Sequence, residues 1–99
     1  MVTFAREQET LTAFLEGEID HHTASGMREA IDKELTACRP KTLHLDFGGI
    51  GFMDSSGIGL VMGRYQLMRE LGGQVKVVNS QPAVGRLMRL AGLERLDVL

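Results

Sequence analysis

The run Phe52-Met53-Asp54-Ser55-Ser56-Gly57-Ile58-Gly59-Leu60 sets one carboxylate and two hydroxyls where a loop gives way to a helix. Asp54, Ser55 and Ser56 all carry oxygens that accept from the free N–H groups of a first helical turn, so each is a candidate N-cap. A serine in this position is also suited to carrying a phosphate. Phosphoserine brings about −1.5 to −2 charge, and a helix N-terminus stabilises negative charge by roughly 0.3–1 kcal/mol at an exposed site. The chemistry on offer is therefore the addition and removal of charge at a hydroxyl. Nucleophilic catalysis is disfavoured, because the chain has no Gly-x-Ser-x-Gly elbow and no histidine placed to activate a hydroxyl. An acyl phosphate on Asp46 or Asp54 would call for a further acidic cluster to hold magnesium, and the early strands supply none. His21 and His22 are adjacent, with no third ligand at a suitable spacing, so no metal site is expected.

The helical pattern runs over residues 56–71 and contains Gly57, Gly59 and Gly63, each costing roughly 1 kcal/mol relative to alanine in a helix interior. At about 100° per residue, Ile58, Val61, Met62, Tyr65 and Met68 share one side while Leu60, Leu67 and Leu71 fall opposite. The remaining sector holds Ser56, Gly59, Gly63, Gln66 and Glu70. Ser56 thus sits at the top of a strip almost free of side chains. Two explanations fit: another protein approaches the strip closely, or the helix packs closely on a neighbouring strand.

The elements that must position this motif follow from periodicity and punctuation. Residues 3–6 and 11–17 read as a pair of strands with Gln8 and Glu9 in the turn. A helix over 23–38, capped by Thr23, buries Ala24, Met27, Ile31, Leu35 and Cys38 at three-and-four spacing, and Arg39-Pro40 ends it. Leu43-His44-Leu45-Asp46-Phe47 alternates as a strand, after which Gly48-Gly49-Ile50-Gly51 reads as a loop. Another strand spans 75–78. Pro82 opens a last helix whose Val84, Leu87, Met88 and Ala91 face inward and which Gly92 closes. A short strand over 96–99 completes the order. Strands alternating with helices favour an α/β sheet with parallel members and helices packed against it.

Composition narrows the function classes. A chain of 99 residues, 43% hydrophobic, suits a single small domain over residues 1–99. Cys38 has no partner for an internal disulfide, and the N-terminus has neither a basic region nor an apolar core of a secretory leader, so a cytoplasmic location is expected. No apolar run approaches the roughly 20 residues of a membrane helix. A net charge of −2 without a basic cluster argues against nucleic acid. A protein partner is the expectation.

The motifs together resemble those of bacterial anti-sigma factor antagonists, STAS domains of the sporulation type. The resemblance rests on Phe52-Met53-Asp54-Ser55-Ser56-Gly57-Ile58-Gly59 with Gly63-Arg64-Tyr65, and on Leu15-Glu16-Gly17-Glu18-Ile19-Asp20-His21-His22-Thr23-Ala24. Gly72-Gly73, Pro82-Ala83-Val84-Gly85-Arg86-Leu87 and Ala91-Gly92-Leu93 extend it in the right order. It implies a mixed, mostly parallel sheet of about four to five strands with helices packed against it. It also implies a regulator and not an enzyme: the unphosphorylated form binds an anti-sigma factor that is also a serine kinase, which releases a sigma factor. Phosphorylation then switches binding off, with ATP supplied by the kinase, no cofactor of its own, and a serine phosphatase to reverse the mark. The phosphoacceptor maps to Ser56, with Ser55 the alternative. Asp20 belongs to the partner-contacting surface, where it can pair with an arginine of the kinase, together with His21, Asp54, Ser55, Gly57, Gly59 and Gly63. Related switches serve sporulation, stress responses and development. Members usually continue beyond residues 96–99, and Gln81 and Gly85 depart from the usual pattern, Gly85 weakening the last helix. The rival reading is a STAS scaffold that binds its partner without phosphorylation.

Overall fold

Alternation along the strands turns one set of apolar residues to a common face, and the computed structural model, which describes residues 1–99, closes that face with helices. β1 (Val2–Glu7) and β2 (Thr10–Ile19) form an antiparallel hairpin; β3 (Thr42–Met53) and β4 (Gln74–Val78) add in parallel, in the order β1-β2-β3-β4. Leu11, Leu43 and Val75 lie in register across three strands, as do Ala13, Leu45 and Val77. Onto this face α1 (Ala24–Cys38) brings Met27, Ile31 and Leu35, α2 (Ser55–Glu70) brings Leu60, Val61 and Met68, and α3 (Pro82–Leu90) brings Val84 and Met88. The opposite face, with Thr12, Phe14, His44, Asp46 and Lys76, is half-buried or exposed. The expected mixed, mostly parallel sheet is present with four strands.

Residues 48–51 are not the loop that the sequence pattern suggests. β3 continues to Met53 and pairs with β2 as Glu16↔Gly49, Gly17↔Ile50, Glu18↔Phe52 and Ile19↔Met53, with two register shifts on the way. The glycines break the alternation because they form bulges, where backbone crowds backbone. A Cβ on Gly49 would lie 2.7 Å from the carbonyl oxygen of Leu15, and Gly17 has φ +104°.

Three smaller expectations also fail. Thr23 does not cap α1 with its side chain: its hydroxyl donates to the carbonyl of Glu18 at 2.9 Å and accepts the N–H of Asp20 at 3.0 Å. Ala91 is exposed, as the residue that ends α3. The chain end forms a 3₁₀ turn (Leu93–Leu96) and no strand. Left-handed backbone at Gly92 and Asp97 brackets that turn, and a backbone bond from the N–H of Val77 to the carbonyl of Val98, with Lys76 Nζ donating to the carbonyl of Asp97 at 2.7 Å, ties it to the outer edge of β4.

The bulge supplies a test. Gly49→Ala must displace backbone, so the urea midpoint should fall by an amount equivalent to roughly 1–3 kcal/mol, the usual cost of overpacking.

Candidate functional site

Asp54 sets the geometry of the site. It leaves β3 in extended conformation, its N–H donates to the carbonyl of Ile19 at 3.0 Å, and its carboxylate Oδ1 accepts the N–H of Ser56 at 2.8 Å. Its carbonyl accepts the N–H of Gly57 at 3.0 Å. Asp54 is therefore the N-cap of α2, hydrogen-bonded at once to the sheet and to the helix, and the choice among three candidate caps is resolved. Ser55 follows as the first helical residue and is exposed; Ser56 is the second and is half-buried.

Asp20 plays the corresponding role at the end of β2. Its Oδ1 accepts the N–H groups of His22 and Thr23, both at 2.9 Å, which holds residues 20–23 as a tight turn into α1. The backbone N–H of Thr23, then that of His22, lower the Asp20 pKa below the ordinary aspartate value, against a small desolvation effect. That contribution is present above the ordinary aspartate pKa and is lost as pH falls through the lowered one. The rings of His21 and His22 lie 4.1 Å apart, centroid to centroid, and are both exposed.

The three glycines of α2 separate into two kinds. Gly57 is buried, and a Cβ there would meet Met53 Sδ at 2.5 Å, so it serves close packing inside the fold and does not belong to the exposed surface assigned to it by resemblance. Gly59 and Gly63 are the reverse: nothing lies within 4 Å of a Cβ built on either. The strip Ser56-Gly59-Gly63-Gln66 faces open space, and packing within this chain does not explain its lack of side chains. Asp20, His21, Asp54, Ser55, Ser56, Gly59 and Gly63 are thus carried at one end of the sheet, in the turn before α1 and along the first half of α2.

The sequence reading missed a charged pair beneath this surface. Arg64 occupies the inward stripe with Gly57, Leu60, Val61 and Met68, its side chain only 7% exposed, and its Nε lies 2.8 Å from Asp32 Oδ1 on α1. The contact is close but too poorly aligned to count as a hydrogen bond, and Arg64 Nη1 is buried without a partner. Burial lowers the Arg64 pKa, Asp32 opposes that, and Arg28 adds to it. The signal was available: an arginine at three-and-four spacing with buried residues needs an acid opposite, and Asp32 is the residue after buried Ile31. Arg64, Ser56, Gly59 and Leu60 line one wall of a cleft of about 340 Å³, with His21, Ala24, Ser25 and Arg28 on the other.

The glycine contrast is testable by urea unfolding of two variants. Gly59→Ala should stabilise the fold by about 1 kcal/mol. Gly57→Ala should destabilise it despite the same gain in propensity, because the added methyl collides with Met53.

Comparison with known proteins agrees with this geometry. Residues 2–97 match the model of the STAS domain. An anti-sigma F factor antagonist of Paenibacillus polymyxa is 37% identical over 83% of this chain and 70% of its own length. The anti-sigma factor antagonist SpoIIAA in its unphosphorylated form superposes with a TM-score of 0.84 at 30% identity, covering 97% of this chain and 84% of that one. The Bacillus cell fate determinant SpoIIAA in the phosphorylated form gives a TM-score of 0.75 at 29% identity, over 97% of this chain and 87% of that one. With a capped serine at the head of an otherwise bare helix strip, the chain belongs to the STAS domain family, among its anti-sigma factor antagonists.

Proposed function

We propose that this protein releases a sigma factor by binding an anti-sigma factor through the strip headed by Ser56, and that phosphorylation of Ser56 ends the association. The observation that carries the reading is the open strip itself. Gly59 and Gly63 weaken α2 and meet nothing in the fold, so a partner's backbone pressed against them is the physical reason for their presence. Ser56 heads that strip, half-buried and held by Asp54, where a modifying group changes the surface without disturbing the core.

The energetics suit a switch. In the free domain a phosphate at the second position of α2 lies where the helix dipole favours it. Against a partner the same charge would be buried beside Asp54, and an unpaired buried charge costs several kcal/mol. A penalty of about 3 kcal/mol already weakens binding roughly 100-fold. The chain is then a substrate and not a catalyst: the anti-sigma partner acts as the serine kinase and supplies ATP, a serine phosphatase restores the hydroxyl, and the cycle runs in the cytoplasm. Asp20, fixed as a carboxylate by its turn, is positioned to pair with an arginine of the kinase.

Intact-mass and peptide mapping after incubation with Mg-ATP and each candidate anti-sigma kinase of the host checks the assignment. One phosphate should appear on Ser56 and vanish in Ser56→Ala, which keeps binding, while Ser56→Asp should bind about 100-fold more weakly. Unchanged affinity in Ser56→Asp, with no transfer from a kinase that binds, would leave an interaction module without phosphorylation. The strip is tested separately by titration calorimetry. Gly63→Gln should leave the fold as stable or stabler by up to about 1 kcal/mol, yet lower affinity for the anti-sigma factor at least tenfold.

A further inference from the structure

We propose that the cleft between α1 and α2 is an intramolecular receptor for the phosphoryl group on Ser56, with Arg28 as its mobile ligand and Arg64 as a fixed charge behind it. This rests on the reading of Ser56 as phosphoacceptor and adds what becomes of the phosphate once it is there. Ser56 already lines the cleft, so a group on its hydroxyl would enter the space that the two walls enclose. That wall carries Arg28, Ser25 and His21, and no carboxylate lines the cleft at all.

The charges around it are unbalanced in the direction that attracts a dianion. Arg28 lies close enough to disfavour the charge on Arg64, and Asp32 is the one acid that offsets it there. Arg28 is exposed and enters no ion pair. Arg64, more than nine-tenths buried, keeps Nη1 unpartnered. Asp54, the nearest acid on the side of Ser56, is engaged by the N–H of Ser56 itself. A phosphate on Ser56 would thus supply the missing negative charge to two guanidinium groups, Arg28 being free to close on it in the bidentate fashion that suits phosphate. Ser55 is exposed and lies outside the cleft, so a phosphate there gains nothing from these arginines. The receptor would make the phosphorylated state a stable form of the free domain and draw the phosphate's charge toward the cleft.

The test uses the full chain with phosphoserine installed at position 56 during synthesis, so that no kinase is involved, and follows its second ionisation by ³¹P NMR. That pKa is about 6 for ordinary phosphoserine. Nearby cations favour the dianion, so it should be lowered by about one unit, return toward 6 in Arg28→Gln, and stay low in Arg28→Lys. His21, Arg64 and Asp54 are common to every variant, so the difference isolates Arg28. Phosphoserine at position 55 should be indifferent to Arg28→Gln. The same value in the unaltered chain and in Arg28→Gln, or an equal response at position 55, overturns the proposal. Failure of the functional reading would show elsewhere, as absence of transfer to Ser56 from the host's kinases, with the ³¹P shift unaffected.

Discussion

The pairing of Ile19 with Met53 is the constraint from which the site follows. Because β2 and β3 are parallel and end on the same rung, the next residue of each, Asp20 and Asp54, begins a turn at the same end of the sheet. The N–H of Asp54 extends the ladder by one more bond to Ile19. Each aspartate then turns its carboxylate onto N–H groups two or three residues further on: Asp20 on those of His22 and Thr23, Asp54 on that of Ser56. Two helices consequently start side by side at the carboxyl ends of parallel strands, the place where open α/β sheets present their binding crevices. Residues 34 positions apart in sequence become one surface by register alone.

One contact between the two helices is polar where an apolar one would have been simpler. Arg64 and Asp32 meet between α1 and α2, and a buried ion pair is weak evidence for stability, since well-packed apolar residues of similar volume often do as well or better. Its effect here is geometric. A long side chain laid across the helix interface leaves an open, cationic cleft beside Ser56, where two leucines would have closed the gap. Loss of Arg64 alone would strand Asp32, and loss of Asp32 alone would strand a nearly buried guanidinium, so the two are coupled and neither can drift without the other.

Legibility in the sequence tracked how local each feature is. The start of α2, the inward stripe of α1 and the αL exit at Gly92 depend on residues within one turn, and they were readable. The second half of β3 was not, because Gly48, Gly49 and Gly51 look like loop residues unless the bulges against β2 are known; the ladder that orders them is made by residues more than 30 positions away. Thr23 has the type of a cap, but the turn held by Asp20 takes its hydroxyl for Glu18 and Asp20. Helical projection put Ser56, Gly59 and Gly63 in one sector correctly, yet it could not say which glycines face a neighbour and which face water. That distinction needed Met53 in place. Arg28 and Ser25 gave no signal of their own, since nothing in the sequence of α1 says that its first turns lie across from Ser56.

The glycines show how binding and stability are set against each other in this fold. Two helical glycines with open space beside them, Gly59 and Gly63, forgo about 2 kcal/mol, against a net stability of roughly 5–15 kcal/mol for an ordinary domain. A sacrifice of that size at residues that touch nothing is not explained by folding. It is explained if the surface must stay flat, because a partner's backbone approaching within van der Waals distance excludes even a methyl group. Flatness also sharpens the switch. On a rough surface, water remaining at the edges would solvate an added phosphate and soften its effect. On a strip bare from Ser56 to Gly63, a partner in close contact would expel that water, and a phosphate would then keep only the cations of its own cleft. On the function proposed above, the residues that weaken the helix are the ones that let a single hydroxyl decide whether binding occurs.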